Sequence, residues 1–244
     1  MNRSVSRIIF STVLSALFTP VMAIDLILPL VDGWAETNGR GFGAEVANLI
    51  IQNGDFPDTR IKYLPFARAM HEFEIKKYGC LLGGDQDLMK KFTGIESISS
   101  DPILESKFVI YSNKEDKVAH LINDIKGYKV GYVLGGSLSA YGVEDIETTF
   151  IPIPNSENGF KMLEFGRINY FIHYFPEKIE LVKDSVFDPS LSLVEYSDRF
   201  QCHNSSVHFD FLKKVNNSLQ EIKDAGFYDE VFNRYYGAQP KKNK

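Results

Sequence analysis

The sequence predicts an α/β fold. Short apolar runs alternate with segments of helical period along almost the whole chain, two of those runs end in glycine pairs, and two helical segments follow the last strand.

Residues 24–30 read as the first strand, a short run that is apolar except for Asp25. A polar loop with Asp32, Gly33, Trp34 and Asn38-Gly39 follows, and a helix opens near Gly41 with Phe42, Val46, Leu49 and Ile50 as its apolar positions. Residues 60–64 form a second strand. Pro65 starts a helix running to about residue 77, because a proline in the first turn gives up an N–H that has no helical partner there. A third strand, residues 80–82, ends in Gly83-Gly84.

The middle of the chain repeats the pattern. A strand at 107–111 precedes a helix at 118–125 and a strand at 129–133 that runs into Gly135-Gly136-Ser137. Next come a strand at 149–153, a helix from about 156 to 165 and a strand at 170–173. After Pro189 a further strand leads to helices at 209–224 and 228–235. A lobe that the chain leaves and re-enters accounts for these terminal helices better than a series of small sheets.

At the N-terminus Arg3 and Arg7 precede an uncharged run, residues 8–23, which is broken by Pro20 and ends in Val21-Met22-Ala23. This is the pattern of an export leader, with cleavage expected after Ala23. The run is too short for a typical membrane span, and no nearby cysteine offers a lipid anchor, so the mature chain is expected free in the periplasm, without membrane insertion. Loss of the two arginines takes the formal charge from −5 to −7, which disfavours nucleic acid and anionic lipid as partners. The roughly 220 residues that remain suit one large domain or two small ones. No Pro- or Gly-rich linker divides them, so any second lobe must be joined by strands.

Signatures of catalysis are missing: there is no Gly-x-Ser-x-Gly elbow, phosphate loop or zinc helix. The expected protein is not an enzyme and carries no cofactor. A metal site is not expected either: no Cys or His pair has ligand spacing except Cys202-His203 with the distant His208, and neighbouring strand residues face opposite ways.

Five stretches, taken in order, carry a resemblance. They are Gly41-Phe42, Tyr63-Leu64-Pro65-Phe66-Ala67-Arg68-Ala69, the run from Ile125 to Gly131 followed by Gly135-Gly136-Ser137, the run from Leu163 to Asn169, and a tail from Leu212 to Leu219 followed by Ala225-Gly226-Phe227. The chain resembles the bacterial periplasmic solute-binding proteins of family 3, the amino-acid-type substrate-binding proteins of ABC importers. The resemblance spans nearly all of the chain beyond the leader. It implies the type II periplasmic-binding fold: two α/β lobes joined by two crossing strands, with a ligand cleft between them. Lobe one is then residues 24–108 plus 191–244, and lobe two residues 109–190. It also implies a monomer that closes on a small polar solute, an amino acid or related carboxylate compound, and delivers it to an ABC permease. A membrane signalling receptor is the alternative partner, and a dehydratase-like enzyme is a further one.

On that frame the ligand lies at strand ends and helix starts. Gly136, Ser137 and Leu138 offer backbone N–H groups to an anion, or form an ordinary strand-to-helix turn. Trp34, the only tryptophan, and Asp32 sit in the loop after the first strand, where the indole covers a guest or packs at the hinge. Arg68 grips a carboxylate with its two-pronged guanidinium or pairs with Glu72 one turn on. Gly84 and Asp85 contribute polar groups or make a tight turn. His173 is either a general acid or base or, more often for such a residue, a hydrogen-bonded wall.

Two departures separate the chain from relatives that bind α-amino acids. Those relatives place an arginine shortly after the third strand, whereas residues 85–100 hold only Lys90 and Lys91 as cations, and Lys91 lacks the planar fork. They also hold the ammonium with an aspartate where this chain has Tyr174, and Asn169 replaces an acid five residues earlier. The expected headgroup clamp is therefore incomplete. Cys80 and Cys202 are the only cysteines; in the implied fold their strands are neighbours in lobe one, which leaves a disulfide and two buried thiols both open.

Overall fold

The computed structural model describes residues 24–56, 58–76, 79–113, 117–177 and 179–237. The expected leader, residues 1–23, and its cleavage point lie outside them.

The chain begins with β1 (Asp25–Leu30), α1 (Phe42–Asn53), β2 (Arg60–Pro65), α2 (Phe66–Ile75), β3 (Gly79–Leu82), α3 (Gln86–Thr93), β4 (Ser97–Ser99) and the long β5 (Leu104–Asn113). A single 3-10 turn (Ile122–Ile125) leads to β6 (Lys129–Val133), the one-turn α4 (Leu138–Tyr141), β7 (Thr149–Ile153), α5 (Ser156–Glu164), β8 (Tyr170–Phe175), α6 (Ile179–Val182) and β9 (Ser185–Val186). Then come β10 (Val194–Asp198), β11 (Phe200–His203), α7 (Ser206–Asp224) and α8 (Phe227–Tyr236).

These strands build two sheets, ordered β2-β1-β3-β11-β4 and β10-β5-β8-β6-β7, with β9 added to β5. In the first sheet Leu26, Leu28, Cys80 and Leu82 face a core shared with α1, α7 and α8, whereas Ile27 and Leu81 face α2 and α3. Covering both faces makes these strands continuous apolar runs rather than alternating ones. The second sheet is built alike: Phe108 and Ile110 of β5 pack on the side of Ala140 and Tyr141, and Val109 and Tyr111 pack on Phe160 and Leu163 of α5.

Two strands connect the sheets. The chain passes from β4 of the first into β5 of the second, and returns from β10 into β11 with Arg199 between them. β5 and β10 are antiparallel neighbours, with Phe108 opposite Val194, Ser106 opposite Tyr196 and Leu104 opposite Asp198. In β3 and β11, Cys80 lies opposite Cys202, and the two form a buried disulfide.

The helix expected at 118–125 is the main correction. Residues 117–119 are irregular, and only the 3-10 turn forms. The Asp124 carboxylate accepts the N–H groups of His120 at 2.9 Å and Leu121 at 3.0 Å. A side chain that takes up local amides in this way competes with the helical ladder. α2 begins one residue later than expected, with Pro65 as its N-cap, and α3 and β4 fill a stretch where no element was expected.

Candidate ligand cleft

The end of β3 turns sharply. Gly84 adopts φ 64°, where a residue without Cβ is least strained. Its N–H donates to Asp198 Oδ1 at 2.8 Å and its carbonyl accepts from Gln201 Nε2 at 2.9 Å. Asp85 accepts the Leu88 N–H at 2.9 Å and so caps α3. These hydrogen bonds tie the turn to β10, β11 and α3.

Asp198, the last residue of β10, sits at the junction of the sheets. Ser106 of β5 donates to its other oxygen at 2.6 Å. Burial pushes the carboxyl up from 3.8 to about 6 despite the opposing pull of the Ser106 and Gly84 hydrogen bonds, and Asp85 and Glu105 add to the rise.

Beside Asp198 lies a cavity of about 80 Å³. Phe66 and Met70 of α2, and Leu88 and Phe92 of α3, wall it from the first sheet's side. Val133 of β6, Tyr141 of α4 and Ile172 of β8 face them from the second. Phe108 and Tyr196 of the crossing strands close the back, stacked with centroids 5.3 Å apart, and Phe108 also meets Tyr141 at 4.6 Å. Phe92 touches Tyr141 edge to face at 6.1 Å, so the aromatic wall runs from one side of the cleft to the other.

Of the residues singled out in the sequence, Trp34, Gly84, His173 and Tyr174 line this cavity. The Trp34 ring lies against Gly43, where an added Cβ would stand 2.5 Å from the indole, and meets Phe42 at 5.9 Å. His173 shares a 2.5 Å hydrogen bond with Glu177 and stacks on Phe171, and both His173 and Glu177 are buried. Asp32 bridges the two sides of the cleft: its carboxylate accepts the Glu157 N–H at the start of α5 at 3.0 Å, and its carbonyl accepts the Tyr174 phenol at 2.9 Å. Burial pushes that phenol well above its usual value.

The remaining sequence candidates stand apart from the cavity. Gly136 is backed by the Tyr141 phenol, 2.2 Å from where a Cβ would be, and neighbouring Gly135 lies against Ala67 of α2. Ser137 accepts the Ala140 N–H at 3.2 Å and shares a hydrogen bond with Ser139, while Leu138 packs on the second sheet's core. Arg68 and Lys91 are exposed, and among the described residues no lysine or arginine lines the cavity. Sequence reasoning missed Phe66, Met70, Phe92, Phe108, Tyr141, Tyr196 and Asp198. The alternation of Ser106 with Phe108 and of Tyr196 with Asp198 was the available signal, since strand residues two apart share a face.

The Asp32 bridge predicts an effect of its own. Removing its carboxylate in Asp32→Ala takes away an acceptor at the start of α5 worth about 0.5–1 kcal/mol. Urea unfolding is expected to show that loss for Asp32→Ala and a smaller one for Asp32→Asn. Equal unfolding free energies for all three proteins would mean that the Glu157 N–H gains nothing from Asp32.

Among the described residues no helix is long and apolar enough to cross a membrane, and no group of three or more His, Cys, Asp or Glu side chains is placed to hold a metal ion. No family model matches the chain. Solved structures do share its fold. A mutant of ArgBP from T. maritima superposes with a TM-score of 0.71 at 17% identity, over 88% of this chain and 96% of that one. The GluR0 ligand-binding core from Nostoc punctiforme, solved with (L)-glutamate, matches with a TM-score of 0.71 at 16% identity, over 88% and 99% of the two chains. A histidine kinase sensor domain described as similar to periplasmic binding proteins matches with a TM-score of 0.68 at 13% identity, over 89% and 98%. Two sheets linked by two crossing strands, with helices on their faces, are the type II periplasmic-binding fold.

Proposed function

We propose that the mature chain is a periplasmic solute-binding protein. Residues 24–108 with 191–244 act as one lobe and residues 109–190 as the other, closing on one small molecule that the closed form hands to the permease of an ABC importer. The observation that carries this reading is the cavity, walled by α2 and α3 on one side, by β6, α4 and β8 on the other, and by the crossing strands behind. A pocket built jointly by two sheets is remade whenever they move, so occupancy and closure are linked. Binding is favoured over turnover because the structures that share the fold include ArgBP and the GluR0 ligand-binding core. The likeness to a sensor domain supports a second destination for the same closed form, a membrane receptor.

Protein purified from the periplasm without unfolding is expected to show, in native mass spectrometry, an added small-molecule mass that disappears on denaturation. Identical native and denatured masses, together with no melting shift across a broad panel of solutes, would count against capture. Loss of uptake on deleting the chain supports import; intact uptake with a lost transcriptional response supports the receptor.

A further inference from the structure

We propose that the guest is a compact organic cation, an apolar body bearing an ammonium group and no carboxylate, with its charge set between Asp198 and the aromatic wall. The proposal rests on the capture reading above and specifies its ligand.

Removing an ion from water is costly unless the site supplies a partner. Among the described residues no lysine or arginine lines the cavity, and Arg68 and Lys91 stand exposed elsewhere. The backbone amides of the Gly83-Gly84 turn offer an anion no substitute, since Gly83 donates to the Arg199 carbonyl and Gly84 to Asp198. A carboxylate in the cleft would meet no cation and would face Asp198. An ammonium meets the opposite setting: each Asp198 oxygen accepts one hydrogen bond from the protein and keeps capacity for another.

Phe66, Phe92, Phe108, Tyr141 and Tyr196 surround the same space, and aromatic faces attract organic cations most strongly where water is excluded. At about 80 Å³ the cavity is smaller than the roughly 150 Å³ engineered cavity that takes benzene, so the apolar body is a short alkyl chain or a single ring admitted with slight opening. Burying Asp198 in this apolar setting works against stability at neutral pH, a burden that functional sites commonly carry.

Two matched sets of probes test the proposal by calorimetry on the full mature protein, stripped of bound guest by unfolding and refolding with its disulfide intact. One set is isoamylamine, L-leucine, 4-methylvalerate and isoamyl alcohol; the other is 2-phenylethylamine, L-phenylalanine, 3-phenylpropionate and 2-phenylethanol. In at least one set the amine is expected to bind at least about tenfold tighter than its amino acid, acid and alcohol partners. In Asp198→Asn, which keeps the shape of the side chain, the amine's advantage over the alcohol is expected to disappear while the alcohol's own affinity holds. Tighter binding of an amino acid or acid, an alcohol equal to its amine, an unchanged amine preference in Asp198→Asn, or no binding of any probe each overturns the cationic guest. Capture itself survives the first three of these outcomes, and also the last if natively purified protein still releases another small molecule.

Discussion

Replacing both Cys80 and Cys202 by alanine is expected to lower the unfolding free energy by about 3–5 kcal/mol and to raise the urea m-value. The bond joins residues 122 apart in sequence, across the two neighbouring strands that hold the first sheet together where the chain returns to it. It therefore loops together everything from α3 through β10, including the whole second sheet. In the chain-entropy view, most of the stabilisation comes from denying the unfolded chain that large freedom, and a shorter-range staple would contribute less. Both cysteines are fully buried, so mild reductant is expected to leave the native protein unchanged while the unfolded protein is reduced at once. A loss below about 1 kcal/mol would mean that strand pairing alone fixes the return of the chain.

The second large effect is expected at Asp198. Its folded carboxyl holds a proton more tightly than an unfolded one does, with a value near 6 against 3.8. The stability this lends is fully present below about pH 4 and is lost as pH rises through 6. The whole window corresponds to about 3 kcal/mol. Asp198→Asn keeps an oxygen for the Gly84 N–H and turns an amide toward Ser106, whose hydroxyl can then accept. The variant is expected to gain about 1–3 kcal/mol over the parent at pH 7.5 and little or nothing at pH 4, in urea unfolding at each pH. The difference between the two proteins isolates this group from the other carboxyls that titrate over the same range. An identical difference at both pH values would show that the carboxyl is not perturbed.

Much of the architecture was legible where a single element declares itself. β1 is apolar on both faces because α1 and α7 cover one and α2 the other. α7 was found by its apolar period but starts at Ser206, three residues before the expected 209, where Ser205 caps it by accepting the His208 N–H. α3 was equally marked, by Asp85 before it and left-handed Gly94 after it, yet those residues also fit a ligand loop, and the local pattern is the same for both. The 118–125 segment had helical period but also Asp124, whose carboxylate captures the amides that a helix needs.

The cleft was legible only in part. His173 follows from its place at a strand end, Trp34 from the loop after the first strand, and Tyr174 from the position where relatives carry an aspartate; all three line the cavity. The Gly135-Gly136-Ser137 turn looks the same in sequence whether its amides face a guest or form an ordinary strand-to-helix turn; in the structure Gly135 lies against Ala67 and Gly136 against Tyr141. Asp198 and Ser106 are 92 residues apart, and nothing local in either segment tells that β10 returns beside β5. The acid, the stacked rings of Phe108 and Tyr196 and the turn at Gly84 become one site only through that pairing.

The central claim is that two lobes close around one guest. Spin labels on Arg68→Cys in α2 and Ser139→Cys in α4, both exposed positions flanking the cleft, measure it directly. The account predicts a long, broad distance distribution in stripped protein that collapses to one short distance when the small-molecule fraction released from native protein is returned. One unchanged distance in both samples would contradict it.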